Sequence, residues 1–316
     1  MKKDRPSGIL NVDKPLGQSS HNVVEHVRAL TNRRRVGHAG TLDPLATGVL
    51  VICVGRTATR VVEYLMDEPK TYRTDVRLGV VTDTFDAEGE IVSTSPVEVG
   101  RHDVEQALDQ FRGPIEQIPP MFSAVKHKGK PLYQLARRGI EVEREARQVE
   151  IYRLELTAWE THRRQASCTL EMECSPGTYV RVLVHDLGQR LGCGAYVTGL
   201  TRLASGSFRL ENAVSLDLLT EAAEKGHWPQ LLHPVDEALA HQFPPLHLDV
   251  NQARRLCSGQ SVHSGHGEDQ DGALARAYGP EGRFIALAAY DAQQDVWRPH
   301  KVFVSPYPSP PVEGHD

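Results

Sequence analysis

No stretch of this 316-residue chain approaches the 18 or so consecutive apolar residues that a membrane-spanning helix requires. Met1-Lys2-Lys3-Asp4-Arg5-Pro6 leads into no apolar signal core, so a cytoplasmic protein is expected. Cysteine is scarce, with five residues at 53, 168, 174, 193 and 257, an odd set without a C-x-x-C pair. That excludes a disulfide framework and the spacing of a zinc site. Cys168 and Cys174 alternate with polar neighbours in ASCTLEMEC, where reduced core thiols are expected. The loop TDTFDAEGE carries Asp83, Asp86 and Glu88 but lacks the D-x-D-x-D-G spacing of a calcium loop and reads as a polar turn. His263 and His266 in VHSGHGEDQD are too few for a metal centre and read as a surface loop. An excess of positive charge is missing too. The 36 Lys and Arg stand against 41 Asp and Glu, a net charge of -5, which argues against indiscriminate binding to polyanions.

The length favours two domains, and the 40% hydrophobic and 24% charged content is that of an ordinary globular protein. GILNVDKP reads as a strand, followed by a helix that the Ser19-Ser20 pair caps and whose Val23, Val24, Val27 and Leu30 share one face. VLVICV is a buried strand, and TYRTDVRLG alternates Tyr72, Thr74, Val76 and Leu78 with Arg73, Asp75 and Arg77, the period of a strand with one wet face. Asp103 is placed to cap a helix presenting Val104, Ala107, Leu108 and Phe111. VEIYRLEL and ASCTLEMEC are further strands, and a helix over about 178–191 frees Arg181 and His185 from its apolar face. Strands interleave with helices, with hairpin-like antiparallel neighbours, to about residue 210; a mixed α/β or α+β domain is expected. Residues 211–246 read as a helical connector packed on that domain, 247–305 as a small β-rich domain, and the proline-rich 306–316 as a disordered tail.

Chemistry centres on RVGHAGTLDPLATGVLVI. Asp43 lies in a loop with Gly37, Gly40 and Gly48 nearby, and Pro44 biases it toward extended backbone. Such a carboxylate can act as nucleophile or base; equally, Asp-Pro is a common helix start and Asp43 a cap. His38 is either an acid–base partner of Asp43, a wedge beside a flat ligand, or an ordinary loop histidine. Residues 121–140 carry Lys126, Lys128, Lys130, Arg137 and Arg138 with no acid, interleaved with Phe122, His127 and Tyr133, a combination suited to phosphates and unstacked bases. The three alternating lysines are expected to project from one edge of an extended segment.

Seven segments in order, GILNVDKPLGQSSHNVV, GHAGTLDPLATGVLVICVG, KTYRTDVRLG, TDTFDAEG, IPPMFSAVKHKGKPLYQLARRGIEVERE, GTYVRVLVHDLG and CGAYVTGLTRLASGSF, resemble the TruB family of tRNA pseudouridine synthases, which isomerise uridine 55 of the T-arm loop. The resemblance implies a large, mainly antiparallel-sheet catalytic domain with flanking helices and a C-terminal PUA-type RNA-binding domain. It implies Asp43 as the catalytic aspartate, Tyr72 stacked beside the target base and Arg181 paired with Asp43. Leu200 would pack near the base, His38 would fill space vacated in the RNA loop, and Tyr179, Lys126, Lys130 and Arg202 would contact RNA. Lys14, Pro15 and Gly40 would support the catalytic loop. The implied partner is the tRNA T-arm stem-loop, with no cofactor, no metal, no membrane and no obligatory protein partner, the chain acting as a monomer. Phe122 stands where the family commonly has tyrosine. Thr201 stands where arginine is common, leaving Arg202 as the expected phosphate contact. A non-catalytic RNA-binding protein and a metal-dependent hydrolase built on His38 and Asp43 are the alternatives.

Overall fold

The computed structural model describes residues 6–123, 125–162, 165–263 and 270–304. The chain divides between Leu232 and His233 into two compact units. In the first, β1 (Gly8–Lys14), α1 (Ser20–Thr31), β2 (Val36–His38), β3 (Ala46–Val54) and β4 (Lys70–Leu78) come before α2 (Arg101–Leu108) and β5 (Gly113–Gln117). Next come β6 (Arg147–His162), β7 (Gln165–Cys174), α3 (Val180–Arg190), β8 (Ala195–Ser205), β9 (Phe208–Arg209), β10 (Val214–Ser215) and α4 (Leu216–Glu224). The ten strands form one sheet in the order β10-β1-β3-β8-β4-β7-β6-β5, with β2 added to β3 and β9 to β8. Only β1/β10 and β3/β8 pair in parallel, so the α+β class with a mainly antiparallel sheet is the one observed.

The local chemistry explains these elements. Ser19 caps α1 by accepting a hydrogen bond from the Asn22 amide at 3.1 Å, and Asn32 ends the helix in the left-handed region at φ 50°. Val23, Val24 and Val27 face the core. β4 follows its sequence period, burying Tyr72, Thr74, Val76 and Leu78 and exposing Arg73 and Asp75. On α3, Leu183 and Leu187 are fully buried, each contributing roughly 1.5–3 kcal/mol. This helix sits so close to β8 that a Cβ at Gly188 would lie 2.1 Å from the Ala195 amide nitrogen. All five cysteines are free and buried.

Three expectations need correction. Helix α2 begins at Arg101, with Gly100 as its cap; Asp103 is the third helical residue, and its carboxylate accepts from the Gly100 amide at 2.7 Å. The 211–246 segment is not one connector: β10 pairs with β1 and α4 follows it within the first unit, while residues from His233 belong to the second. The helical reading holds over Leu216–Glu224, and the two-residue β10 ties the start of that helix to the sheet. The three lysines of 126–130 do not line one extended edge, because Lys126–His127 and Lys130–Pro131 form a tight hairpin. Lys128 and Gly129 turn it with positive φ, 49° and 82°.

The second unit carries a four-stranded sheet of β11 (Pro245–His247), β12 (Leu274–Tyr278), β13 (Phe284–Asp291) and β14 (Val296–Val302), in that order. Helix α5 (Val250–Cys257) starts with a reciprocal cap: Asp249 accepts from the Asn251 and Gln252 amides, and the Gln252 side chain accepts from the Asp249 amide. Leu246, Leu256, Ile285, Ala286 and Trp297 make its core. β11, which the sequence pattern did not reveal, pairs in parallel with β12. The 306–316 tail lies outside the described residues, as does His266.

Candidate active site

Residues 39–45 join β2 to β3, and the chain around them holds this loop from three sides. The Ser20 hydroxyl donates to the Leu42 carbonyl at 2.9 Å and accepts from the Leu42 amide at 2.8 Å. The Gly17 amide donates to the Pro44 carbonyl at 2.9 Å. The fully buried Lys14 ammonium donates to the carbonyls of Pro15, Gln18 and Pro44 at 2.9, 2.6 and 3.4 Å. Pro15 and Lys14 thus sit in the turn that braces the loop. Pro44 and Leu45 form a turn closed by the Ala46 amide on the Asp43 carbonyl at 3.0 Å, not the start of a helix. The Asp43 side chain is therefore no cap.

Its carboxylate turns instead to Arg181, with Oδ2 2.9 Å from Nη2. Arg181 is 4% exposed and reaches the loop from the first turn of α3. The same guanidinium pairs with the buried Asp86 at 3.1 Å and donates to the carbonyls of Thr84 and Phe122, each at 3.0 Å. Asp86 is fixed in turn: its Oδ1 accepts from the Thr84 hydroxyl at 2.6 Å and the Glu88 amide at 3.0 Å. TDTFDAEGE is thus a polar turn, as its spacing implied, but it also supplies the second anion that orients Arg181. The sequence reading missed that role for Asp86. Phe122 takes part through its backbone, so tyrosine or phenylalanine serves equally in this contact.

Tyr72 and Leu200 are buried in the same core cluster as Leu42 and Ala46, and Tyr72 is near enough to Asp43 to feel its charge. The register sets Leu200 opposite Ala46 on one side and Thr74 on the other, and Arg202 opposite Tyr72. Arg202 is 1% exposed, which corrects its expected role as a phosphate contact. Its Nε donates to the Val49 carbonyl at 2.6 Å and Nη2 to the Gly40 carbonyl at 3.1 Å. It is a strut between β8 and the loop that carries Asp43. The approach depends on Gly48, which has φ +93° and where a Cβ would fall 2.3 Å from the Arg202 carbonyl oxygen. Thr201 bonds Thr47 across the same parallel pair at 3.0 Å.

The electrostatics follow. Asp43 keeps 38% of its side-chain surface accessible, yet protein surrounds it, and desolvation pushes its pKa up. Arg181 opposes that shift, Asp86 adds to it, and Lys14 helps offset it. Burial brings the Lys14 ammonium down to about 8, against the pull of Asp43. Tyr72 is pushed up, first by burial, so its hydroxyl stays protonated at neutral pH.

The remaining predicted residues lie further out. Among the described residues no hydrogen bond or ion pair joins His38 to Asp43, which removes the acid–base pairing. His38 is half-buried at the end of β2, and burial lowers its pKa, keeping the ring neutral. Tyr179 precedes α3; its amide donates to the Gln117 side chain at 2.9 Å and its carbonyl accepts from the same amide group at 3.2 Å. Lys126 and Lys130 are exposed on the short hairpin. Gly40 takes φ +105° and presents its carbonyl to Arg202. Asp83 accepts from the Glu90 amide at 2.8 Å, and His263 is hydrogen-bonded to the Asp295 carbonyl at 2.8 Å.

Residues 28–180 match the N-terminal domain of TruB family pseudouridylate synthases, 181–240 the tRNA pseudouridylate synthase B C-terminal domain, and 244–297 the C-terminal part of Pseudouridine synthase II TruB. The tRNA pseudouridine synthase B of Pseudomonas aeruginosa is 48% identical over 284 residues, 89% of this chain and 91% of that protein. The chain belongs to the TruB family. The enzyme of the same name from Haemophilus influenzae is 43% identical over 93% of this chain and 94% of its own. TruB architecture extends to a chain in the crystal structure of a Cbf5-Nop10-Gar1 complex, 26% identical with TM-score 0.69 over 94% of this chain and 85% of that one. A chain of an H/ACA RNP bound to a substrate RNA containing 2′-deoxyuridine shares the fold, with TM-score 0.71 at 24% identity over 95% and 87% of the two chains.

Proposed function

We propose that this TruB protein is a tRNA pseudouridine synthase that isomerises uridine 55 in the T-arm loop, with Asp43 as its catalytic carboxylate. The observation that carries this is the Asp43–Arg181 pair at 2.9 Å, open to solvent on the Asp43 side, with the Tyr72 hydroxyl near enough to feel the Asp43 charge. The reaction breaks the N1–C1′ bond, turns the uracil and joins C5 to C1′; the C5 proton leaves and N1 gains one. Nothing is oxidised or reduced, and the residues at hand suffice.

The uridine must leave its stack to be reached, and Tyr72 and Leu200 offer surfaces that offset part of that cost. Attack on C1′, addition to C6, or removal of the C2′ proton all need Asp43 ionised against the nucleoside. Packing a base over the carboxylate would remove more water and favour its neutral form; the fixed Arg181 guanidinium works against that. Tyr179 and the half-buried His38 would meet the RNA near the everted base, His38 filling space rather than moving protons. Lys126 and Lys130 would bind phosphates, and the second unit would act as a PUA-type RNA-binding domain. The chain would work in the cytoplasm as a monomer, without an obligatory protein partner; among the described residues no helix is long and apolar enough to cross a membrane.

Asp43→Asn is expected to abolish pseudouridine formation in a tRNA transcript while binding stays within a few-fold. Pseudouridine mapped at position 55 with the wild-type protein and absent with the variant meets the expectation; normal turnover by Asp43→Asn sinks it. Activity in excess chelator separates this reading from a metal-dependent hydrolase.

A further inference from the structure

We propose that His185 is a positioning residue for the Asp86–Arg181–Asp43 chain of contacts, acting through the ring of Phe85; this rests on the synthase reading above. Helix α3 carries Arg181 and, one turn later on the same side, His185. The His185 ring stacks on Phe85, with centroids 3.9 Å apart and planes 20° from parallel. Phe85 lies between Thr84 and Asp86, the two residues that supply acceptors to Arg181 Nη1 at 3.0 and 3.1 Å. Helix and loop are therefore joined twice, by the guanidinium and by the two rings.

The backbone shows why the second joint matters. Phe85 has φ 63°, in the left-handed region that disfavours a bulky side chain. The other non-glycine residues with positive φ among those described, Asn32, Lys128 and Asp295, are all polar. A phenylalanine has no polar group to compensate locally. The Phe85 amide donates to the Thr82 carbonyl at 3.3 Å and its carbonyl accepts from the Val197 amide at 3.0 Å. The side chain is held by the His185 stack, so the stack helps keep the loop in a strained conformation that sets two of the four acceptors of Arg181. Burial lowers the His185 pKa and keeps the ring neutral, in line with a packing role and not a charge switch.

Without the stack, residues 84–86 relax away from the left-handed conformation and Arg181 is held less firmly toward Asp43. The charged groups around the Asp43 carboxylate are Arg181 and Lys14, which favour its ionised form, and Asp86 and Glu88, which oppose it, so a less firmly held Arg181 leaves Asp43 ionising at higher pH.

The test is single-turnover pseudouridine formation on a tRNA transcript across pH, alongside transcript binding, for wild type, His185→Ala, His185→Phe, Phe85→Ala and the His185→Ala/Phe85→Ala double variant. His185→Ala and Phe85→Ala, which removes the ring but keeps the Cβ that disfavours positive φ, are each expected to slow the step about three- to tenfold, the effect of one aromatic pair, and the double variant no more than either. The acid limb moves to higher pH in all three, binding is unchanged, and His185→Phe restores rate and limb. A His185→Ala profile matching wild type overturns the inference, as does failure of His185→Phe to restore a lowered rate, or a fall in rate with an unmoved limb. Wild-type turnover in the same assay tests the synthase reading separately: its absence overturns both, whereas wild-type turnover with an unshifted His185→Ala profile overturns the positioning role alone.

Discussion

Lys14, Lys70, Arg181 and Arg202 are buried in the first unit, whereas Lys126, Lys128, Lys130, Arg137 and Arg138 are exposed or half-exposed in the 121–140 segment. The buried set is bound to backbone carbonyls: Lys14 to three, Lys70 to those of Met66 and Glu68, Arg202 to two, and Arg181 to two besides its two carboxylates. Among the described residues no carboxylate lies within 4.0 Å of Arg202, so it is a buried cation held by dipoles alone. Burial brings Lys14 and Lys70 each down to about 8. A charge kept at that cost is one whose removal would leave several carbonyls without donors. The exposed set differs in what it faces. No hydrogen bond or ion pair among the described residues engages the ammonium groups of Lys126, Lys128 or Lys130, while Arg137 lies over the Tyr133 ring at 5.6 Å. Inward cations define geometry, and outward ones are available to an anion from outside.

Substitutions can break this contrast. The largest effect is expected at Arg181, where lysine keeps the charge but cannot span Asp43, Asp86, Thr84 and Phe122 together. The single-turnover rate should fall about 10²–10³-fold. The acid limb should rise, because on the proposed mechanism Asp43 acts as a carboxylate, so that activity would fall as pH drops through its pKa, and weaker stabilisation by Arg181 raises that pKa. An unchanged rate and limb would show that the fork is unimportant. Next comes Arg202→Met, expected to lower folding stability by roughly 2–4 kcal/mol in a denaturant titration by leaving the Gly40 and Val49 carbonyls unpaired. Arg202→Lys, which keeps an ammonium donor for one of these carbonyls, should recover part of the stability. If Arg202 instead met phosphate, binding would weaken with salt dependence altered and stability intact. The smallest effect belongs to Lys126→Ala with Lys130→Ala: weaker tRNA binding, an unchanged rate at saturation, and a log–log salt slope reduced by about 0.7–0.9 for each phosphate that is no longer neutralised. A changed saturating rate would move these lysines into the positioning set.

The sequence shows some of this directly, and its limits are physical. The alternation of β4 and the apolar face of α1 are readable because each depends on near neighbours in the chain. The position of Asp43 is readable only by resemblance, since Asp-Pro in a glycine-rich loop fits a cap as well as a site. Arg202 looks like every other arginine, because what buries it is contributed by Gly40 and Val49, more than 150 residues earlier. Asp86 is hidden for the same reason: its partner Arg181 reaches it from another element. The lysine hairpin escapes the sequence pattern because Lys128 adopts a left-handed conformation that its residue type does not advertise, although Gly129 beside it is a cue. The short β10 is invisible because two residues carry no period of their own.

Gly48 bears on how substrate is chosen. With the Arg202 carbonyl occupying the place of its missing Cβ, β3 and β8 are interlocked at the root of the Asp43 loop, and the loop has little freedom to reshape itself around what it meets. Adaptation then falls to the RNA. On the proposed reaction, an RNA loop that turns a uridine outward at low energetic cost would be favoured over a stiff loop of the same letters, and deformability would join base sequence as a criterion of selection.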